Sequence, residues 1–559
     1  MQGNDLGGNF GMLGGRRRTG RVARWWSVGA VIVSLLAVLP VAAVLSRLAL
    51  PADGVSAHLA QTVLAGYVAN SLMLAAGVVA GSVAIGVGAA WIVSTADFPG
   101  RRIAEWALIL PMTVPGYVIA IVYFDLLTYA GPVQTWLRGV TGWGRGDYWF
   151  PPVASVGGAA VLLAFVLYPY VYLLARAAFL MQARHLMEAA RSLGVGPLGA
   201  LSRVAVPLAR PAIAAGAGFV AMETLADYGT VSQLGVPTLT TGIFRTWYGA
   251  GSPVAAAQLA ALLLGIVVAV VALERVGRGG RRFAGNGGGQ GALMSRVRLR
   301  GWAAAAAMVL CGLPVFLGFL LPVAELLRLH LSVGDSMWGP RFFAFARNSL
   351  VLAGGSAALL VALGLFLAYA QRVDGGRAVR VATRVAGFGY AVPGAVVAVG
   401  LLLALGAADS AIDRAARAAF GVSTGLIFTG SVVALLFAYA VRFLAIALNS
   451  LEAGLARIPP RMDDAARSLG HGAGATLVRV HAPLLRTSVL SAAIFVFSDV
   501  MKELPATLIV RPFNFDTLAV RVFRLAADAR IAEASTAALC IIAAGILPVV
   551  LLSRAMEQR

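Results

Sequence analysis

Five charged side chains and one phenol lie where the sequence is otherwise apolar. Glu223, Asp227 and Tyr228 close one apolar run, and Asp499, Lys502 and Glu503 close another. An ionisable group in such a run is costly unless it faces water, protein or a pathway. Carboxylates and phenols are hard oxygen donors, which hard cations prefer. The chemistry on offer is cation contact along a path. Asp499 and Lys502 are also three residues apart and can neutralise each other, so structural pairing and substrate contact stand as alternatives. Catalysis has less to work with. The histidines (His58, His185, His330, His471 and His481) form no His-x-x-x-His pair, and no cysteine spacing fits zinc. Cys311 and Cys540 each lie in an apolar run and read as small buried hydrophobes. Lys502 is the only lysine and follows Met501. Without Gly-Lys there is no phosphate-cradling loop, so the chain does not hydrolyse ATP in that way itself. No metal site is assigned.

Long apolar elements must position these groups. Of 559 residues, 59% are hydrophobic and 12% charged, against roughly 45–50% and about 25% in soluble domains. That excludes disorder, collagen and disulfide-stapled mini-proteins, and makes lipid part of the solvent. A spanning helix needs about 20 apolar residues. Twelve runs qualify, near 25–48, 64–95, 103–130, 152–180, 207–228, 253–274, 302–325, 347–371, 381–406, 425–448, 484–505 and 533–553. The expected fold is an all-α polytopic membrane protein of two tandem six-helix repeats.

The net charge of +21 comes from arginine clusters between these runs. No basic face carries interleaved aromatics, which argues against nucleic acid as a partner. Arg16, Arg17, Arg18, Arg21 and Arg24 precede the first run, which places the N-terminus in the cytoplasm. A cleaved signal peptide is the rival, but the run is long for one. With that orientation Arg101, Arg102, Arg191, Arg203, Arg278, Arg281, Arg372, Arg384, Arg461 and Arg479 fall in cytoplasmic connections. Arg511, Arg521 and Arg524 fall outside and weaken the rule without reversing it.

The two halves repeat. Asn70-Ser71-Leu72 recurs at Asn348-Ser349-Leu350, and Val114-Pro115-Gly116 at Val392-Pro393-Gly394, both at an offset of 278. The stretch 188–211 recurs at 464–487, an offset of 276, with 13 of 24 positions identical. That offset runs on to Glu223/Asp499, Asp227/Glu503, Thr241/Thr517 and Arg245/Arg521. Six crossings per half is an even number, so both halves face the same way. The expected organisation is a cytoplasmic tail at 1–24, membrane domains at 25–274 and 301–553, a Gly- and Arg-rich cytoplasmic linker at 275–300, and a cytoplasmic tail at 554–559. The Pro-Gly pairs interrupt the third and ninth runs. They frame a substrate path or are packing kinks.

The best-repeated stretch lies in a connection, where repetition signals a shared task. Leu186, Ala189, Ala190 and Leu193 form one apolar face at helical spacing. Glu188 suits the positive end of a helix dipole, and Gly194 ends the helix with positive φ. Pro207 then opens the next membrane helix. Asp464, Ala465, Ala466, Leu469, Gly470 and Pro483 repeat the pattern. A short helix with a small-residue face and a sharp exit suits another protein's groove. An interfacial helix on lipid explains the amphipathicity, but not the same Ala-Ala and Gly spacing twice.

This Glu-Ala-Ala, three residues, Gly pattern resembles the cytoplasmic loop of permease subunits in binding-protein-dependent ATP-binding-cassette (ABC) importers. The second copy departs only by Asp464. The resemblance covers residues 60–553. It implies the type I importer permease fold, and docking on ATPase subunits through Glu188, Ala189, Ala190, Gly194, Asp464, Ala465, Ala466 and Gly470. It implies two copies of a separate ATPase, which use the ATP and magnesium, and a periplasmic or surface solute-binding protein. This chain would bind no cofactor, do no chemistry and sit in a bacterial inner membrane. Residues 225–249 and 499–523 resemble the fused permeases of ferric iron importers, which makes Glu223, Asp227, Tyr228, Asp499, Lys502 and Glu503 the expected substrate pathway. Thiamine, polyamine, sulfate and phosphonate permeases are rival substrate classes. An ion-coupled secondary carrier also has twelve helices in two halves, but needs no docking loops.

Overall fold

The prolines and the apolar runs decide where the helices start, bend and stop. The computed structural model describes residues 21–51, 53–181, 196–277, 296–333 and 339–557. The first half comprises α1 (Arg21–Ser46), α2 (Gly54–Thr62), α3 (Leu64–Thr95), β1 (Ala96–Asp97), α4 (Arg101–Ala107), α5 (Gly116–Leu127), α6 (Pro132–Thr141), α7 (Val156–Met181), α8 (Val206–Ala226), α9 (Gly229–Gln233), α10 (Leu239–Phe244) and α11 (Pro253–Gly277). The second comprises β2 (Val297–Arg298), α12 (Gly301–Val315), α13 (Leu321–Val333), α14 (Pro340–Val373), α15 (Arg377–Ala386), α16 (Gly394–Phe420), α17 (Val432–Leu455), α18 (Arg461–Ser468), α19 (Arg486–Lys502), α20 (Pro505–Val510), α21 (Leu518–Ala527) and α22 (Ile531–Glu557). Among the described residues 11 helices are long and apolar enough to cross a membrane. A twelfth follows if Ala473–Leu484 and α19, bent 79° apart, make one span.

The Pro-Gly pairs break their spans as expected. Val114 and Val392 are extended at φ −83 and −80, because a following proline disfavours the helical region. Pro115 and Pro393 lack an N–H to continue the ladder, and α5 and α16 start afresh behind them. The third run is therefore α4, a tight turn over Leu110–Thr113, and α5, not one helix. Pro207 does not open its span: helical turns over Pro197–Ala205 run into α8 without a break, and the span begins at Leu201. Pro483 likewise lies within the helical stretch Ala473–Leu484, and α19 starts afresh at Arg486. The linker is also trimmed at both ends, because α11 runs to Gly277 and β2 takes Val297 and Arg298. Residues 278–295 lie outside the described residues.

Each half is built on a three-helix core. Helices α3, α7 and α8 pack together in the first, and α14, α17 and α19 in the second. The leading span of each half packs on the other half. Helix α1 lies on α14, α15 and α16. There Trp26 stacks on Phe366 with ring centroids 5.0 Å apart, and a Cβ on Gly400 would come within 2.0 Å of the Pro40 carbonyl. The π-helical turn Phe316–Leu320 that joins α12 and α13 lies against the first half, where Tyr123 donates to the Leu317 carbonyl at 2.7 Å. Ile32, Leu35, Val309 and Leu310 stay exposed on these two spans. Side chains this apolar suit lipid rather than water.

The repeated Asn-Ser pairs are clamps. Asn70 donates to the Pro237 carbonyl at 2.9 Å, and Ser71 accepts from the Leu239 amide at 3.0 Å. Asn348 and Ser349 do the same for Asp516 and Leu518, at 3.2 and 2.8 Å. These matches set an offset of 279, so the expected pairing of Thr241 with Thr517 is corrected: Thr517 corresponds to Thr238. Both threonines cap their helix. Helix α20 is one residue longer than α9 and the turn after it two residues longer, which together shift the register by three and align Arg245 with Arg524 rather than Arg521.

Candidate functional site

A chamber of about 120 Å³ lies where the two broken spans meet α8 and α19. Glu223, Asp227, Asp499, Lys502 and Glu503 all line it, with Pro115, Gly116, Tyr117, Tyr170, Tyr390 and Arg442. Glycine at the break permits the close approach. A Cβ on Gly116 would sit 2.6 Å from the Thr230 hydroxyl, and one on Gly394 would sit 2.5 Å from Arg442 Nη1.

The carboxylates divide into two kinds. Asp227 and Glu503 directly follow the ends of α8 and α19, where the backbone turns extended. Each reaches forward to cap the next short helix. Asp227 accepts from the Thr230 hydroxyl at 2.9 Å and the Val231 amide at 3.1 Å. Glu503 accepts from the Ala506 and Thr507 amides, both at 2.9 Å, and from the Thr507 hydroxyl. Capping satisfies helix-end donors that would otherwise be orphaned. Glu503 also holds Arg442 at 2.7 Å. Glu223 and Asp499 lie one helical turn earlier and cap nothing. Asp499 pairs with Lys502 at 2.8 Å, the neutralisation that the spacing allowed. Glu223 accepts from the Tyr390 hydroxyl at 2.9 Å, and among the described residues it has no ion pair.

Tyr228 is not in the chamber. Leaving the helix at Asp227 turns it away, and it stacks on Phe244 at 3.6 Å, with Phe523 5.6 Å off. A larger hollow of about 700 Å³ adjoins the chamber and shares Met112, Tyr170, Tyr390 and Asp499. Ala215, Gly218, Phe219 and Met222 line it from the part of α8 that precedes Glu223, Ala445, Ile446 and Asn449 from the half of α17 that leads to α18, and Glu274 and Arg275 from the end of α11. It therefore lies on the side of the repeated connecting segments. The aromatic group around Tyr228 lies beyond the chamber in the opposite sense along α8.

Of the two repeated segments, the first lies outside the described residues, with Glu188, Ala189, Ala190 and Gly194. The second is α18, and Gly470 follows it at φ 81. Only Ala466 of its apolar face is buried. Met462 is 39% and Leu469 77% exposed, and Ala465 is exposed as well. Asp464 pairs with Arg467 on the surface. The neighbouring Asp463 turns inward. It meets Arg372 at 2.7 Å and the buried His481 at 2.5 Å. Arg372 also donates to the carbonyls of Leu455 and Ile458, at 2.7 and 2.9 Å. So α18 is strutted against the C-terminal turn of α14, while its apolar edge stays uncovered.

Sequence reasoning missed Arg442, Tyr390 and this strut. Arg442 lies inside the apolar run 425–448, so the criterion that found Glu223 would have found it. Tyr390 carries no such signal. Arg372 lies in one connection and Asp463 and His481 in another, some 90 residues on, and only the fold brings them together.

The family model for the inner membrane component of binding-protein-dependent transport systems matches residues 82–282. An Fe(3+)-transport system permease protein (FbpB 2) of Haemophilus influenzae is 25% identical over 500 residues, covering 88% of this chain and 90% of that one. A probable molybdenum ABC transporter permease protein of Haloferax volcanii is 30% identical over 34% of this chain and 67% of its own length. A probable sulfate transport system permease protein of Nephroselmis olivacea is 27% identical over 38% of this chain and 72% of its own.

Proposed function

From the premise that the chain belongs to the inner membrane components of binding-protein-dependent transport systems, we propose that it is the fused permease of an ATP-driven ferric iron importer. Two copies of a separate ATPase dock on its two repeated connecting segments, and a solute-binding protein delivers iron to the opposite face. Both termini then lie in the cytoplasm. Iron passes the chamber between the broken spans, against Glu223 and Asp499, and leaves through the hollow on the docking side. Lys502, Asp227 and Glu503 shape that passage, and Tyr228 belongs to the aromatic group that closes it on the delivery side. The chain does no chemistry. It converts closure of the ATPase pair into rigid-body movement of the helices.

The observation that carries this reading is the chamber, where four carboxylates from both halves meet two cations. Oxygen donors suit ferric iron, and the net negative balance disfavours an oxyanion such as sulfate or molybdate. Among the described residues no cluster of three or more His, Cys, Asp or Glu is arranged to hold a metal ion. That suits a passage, since conduction needs binding weak enough to leave. Full-length similarity to the Fe(3+) permease adds to the case, while the oxyanion relatives align over a third of the chain or little more.

The test is uptake into liposomes holding this chain with its ATPase and binding protein. Ferric-loaded binding protein should stimulate ATP hydrolysis and drive iron inward. Sulfate or molybdate uptake in place of iron would reassign the substrate. Uptake driven by an ion gradient without ATP would make the chain a secondary carrier.

A further inference from the structure

Another hollow, this one basic, has no part in the proposed passage. It is open, of about 700 Å³, and is lined by Asp97, Phe98, Gly100, Arg101, Arg102, Ile103, Arg296 and Arg298. Two stretches some 200 residues apart build it. A parallel ladder pairs Ala96 with Val297 and Asp97 with Arg298, and the Leu299 amide donates to the Asp97 carbonyl at 2.9 Å. The strand that enters the second half is thereby fixed beside the connection after α3.

The charges here do not cancel. Four guanidinium groups face one carboxylate. Asp97 lies 3.7 Å from Arg101 and 4.0 Å from Arg298. Arg101 turns its remaining donors to Glu105, which also holds Arg176. Arg102 and Arg296 have no ion pair among the described residues. Burial, followed by the neighbouring Arg101, pushes the Arg296 guanidinium below its ordinary range. A hollow with that excess calls for an anion with several oxygens, because a guanidinium fork matches phosphate geometry.

The surroundings specify its source. Ile103, in the lining, is 62% exposed, and Trp302, at the start of α12, is 83% exposed. Helix α12 packs against α4, so these apolar groups lie on the elements that flank the hollow. Tryptophan beside arginine is the pattern of a membrane interface, and basic pockets beside membrane helices take lipid headgroups. A free phosphate would use the arginines and leave the apolar flank idle.

We propose that this hollow binds the headgroup of an anionic phospholipid, with Arg102 and Arg296 on the phosphate and Ile103 and Trp302 against the acyl chains. The lipid joins the entry of the second half to the first. This assignment is independent of what the chamber transports.

The probe is phosphatidylglycerol added to the chain purified in neutral detergent, with lipid retention read by native mass spectrometry. Phosphatidylcholine and inorganic phosphate are the comparison probes. Wild type should retain phosphatidylglycerol over phosphatidylcholine, and phosphate should not displace it. Arg102→Gln with Arg296→Gln should weaken retention roughly 25-fold, since each basic group near an anionic surface contributes about fivefold. Arg102→Lys with Arg296→Lys should fall between wild type and the double glutamine variant, because an ammonium keeps the charge and lacks the fork, which separates lost charge from misfolding. Equal retention of both lipids, or full retention by the double glutamine variant, would overturn the proposal. Displacement by phosphate would assign the hollow to a soluble anion.

Discussion

Replacing Arg372 by methionine should loosen α18 without dismantling the membrane core. Methionine keeps the length of the stem and removes the guanidinium. In the structure that group donates to Asp463, Leu455 and Ile458 within 2.9 Å and to Pro459 at 3.3 Å. Arg372 is 17% and Asp463 21% exposed. A hydrogen bond to a charged group contributes about 1.5–3 kcal/mol when well buried. Water can reach these carbonyls, so each loss is discounted to about 1 kcal/mol or less, for a total of about 2–4 kcal/mol. His481 still holds Asp463, which keeps the loss local. At about 1.4 kcal/mol per tenfold change, opening of residues 456–471 should become roughly 30- to 1,000-fold more frequent. Hydrogen exchange followed by mass spectrometry measures this directly on the purified chain. Arg372→Lys should fall between, because an ammonium can pair with Asp463 but lacks the fork for the carbonyls. Wild-type exchange over 456–471, with faster exchange confined to α14, would refute the strut.

Four further outcomes can be checked. Arg442→Met leaves Glu503, 1% exposed, with a buried charge; its amide and hydroxyl donors limit the loss to about 2–3 kcal/mol, and adding Glu503→Gln should recover at least half, read by thermal melting in detergent. Lys502→Met, whose pair is more exposed, should cost about 1 kcal/mol or less. Asp53, at the N-cap of α2, accepts from Ser252 and from the Ser56 amide and hydroxyl, and these bonds hold its carboxyl below the ordinary 3.8; its contribution is full above about pH 4 and lost as pH falls through the folded value, so the gap in melting temperature between wild type and Asp53→Ala should close below pH 4. Glu188→Lys with Asp464→Lys should abolish uptake at unchanged membrane level, and normal uptake would remove the docking role.

The spans were legible because twenty apolar residues in a row admit few other states, and the breaks because Pro115 and Pro393 cannot continue a ladder. The chamber was legible because charge in an apolar run has few places to go. What each carboxylate does there was not. Asp227 and Glu503 are caps only because α8 and α19 stop one residue earlier, and Tyr228 leaves the chamber through the same turn. The packing of α1 on the second half was invisible as well. A face that meets lipid and one that meets a helix are equally apolar, and nothing in Trp26 or Gly400 names the partner.

Duplication makes the remaining asymmetry informative. At the repeat offsets Arg442 faces Val166, Lys502 faces Ala226, and Arg372, Asp463 and His481 face Ser94, Met187 and Ala205. Both chamber cations and the whole strut therefore belong to the second half. In the chamber Asp499 and Glu503 are each neutralised by an ion pair, whereas Glu223 and Asp227 have none among the described residues. Asp227 is committed to capping α9. On the proposed iron passage, a cation between the halves would meet its least compensated carboxylate at Glu223 and would have to displace Lys502 to use Asp499. Glu223→Gln should accordingly lower iron uptake more than Asp499→Asn, with both proteins reaching the membrane in equal amount. The opposite order would show that Lys502 swings away in the working cycle and that the second half supplies the contact.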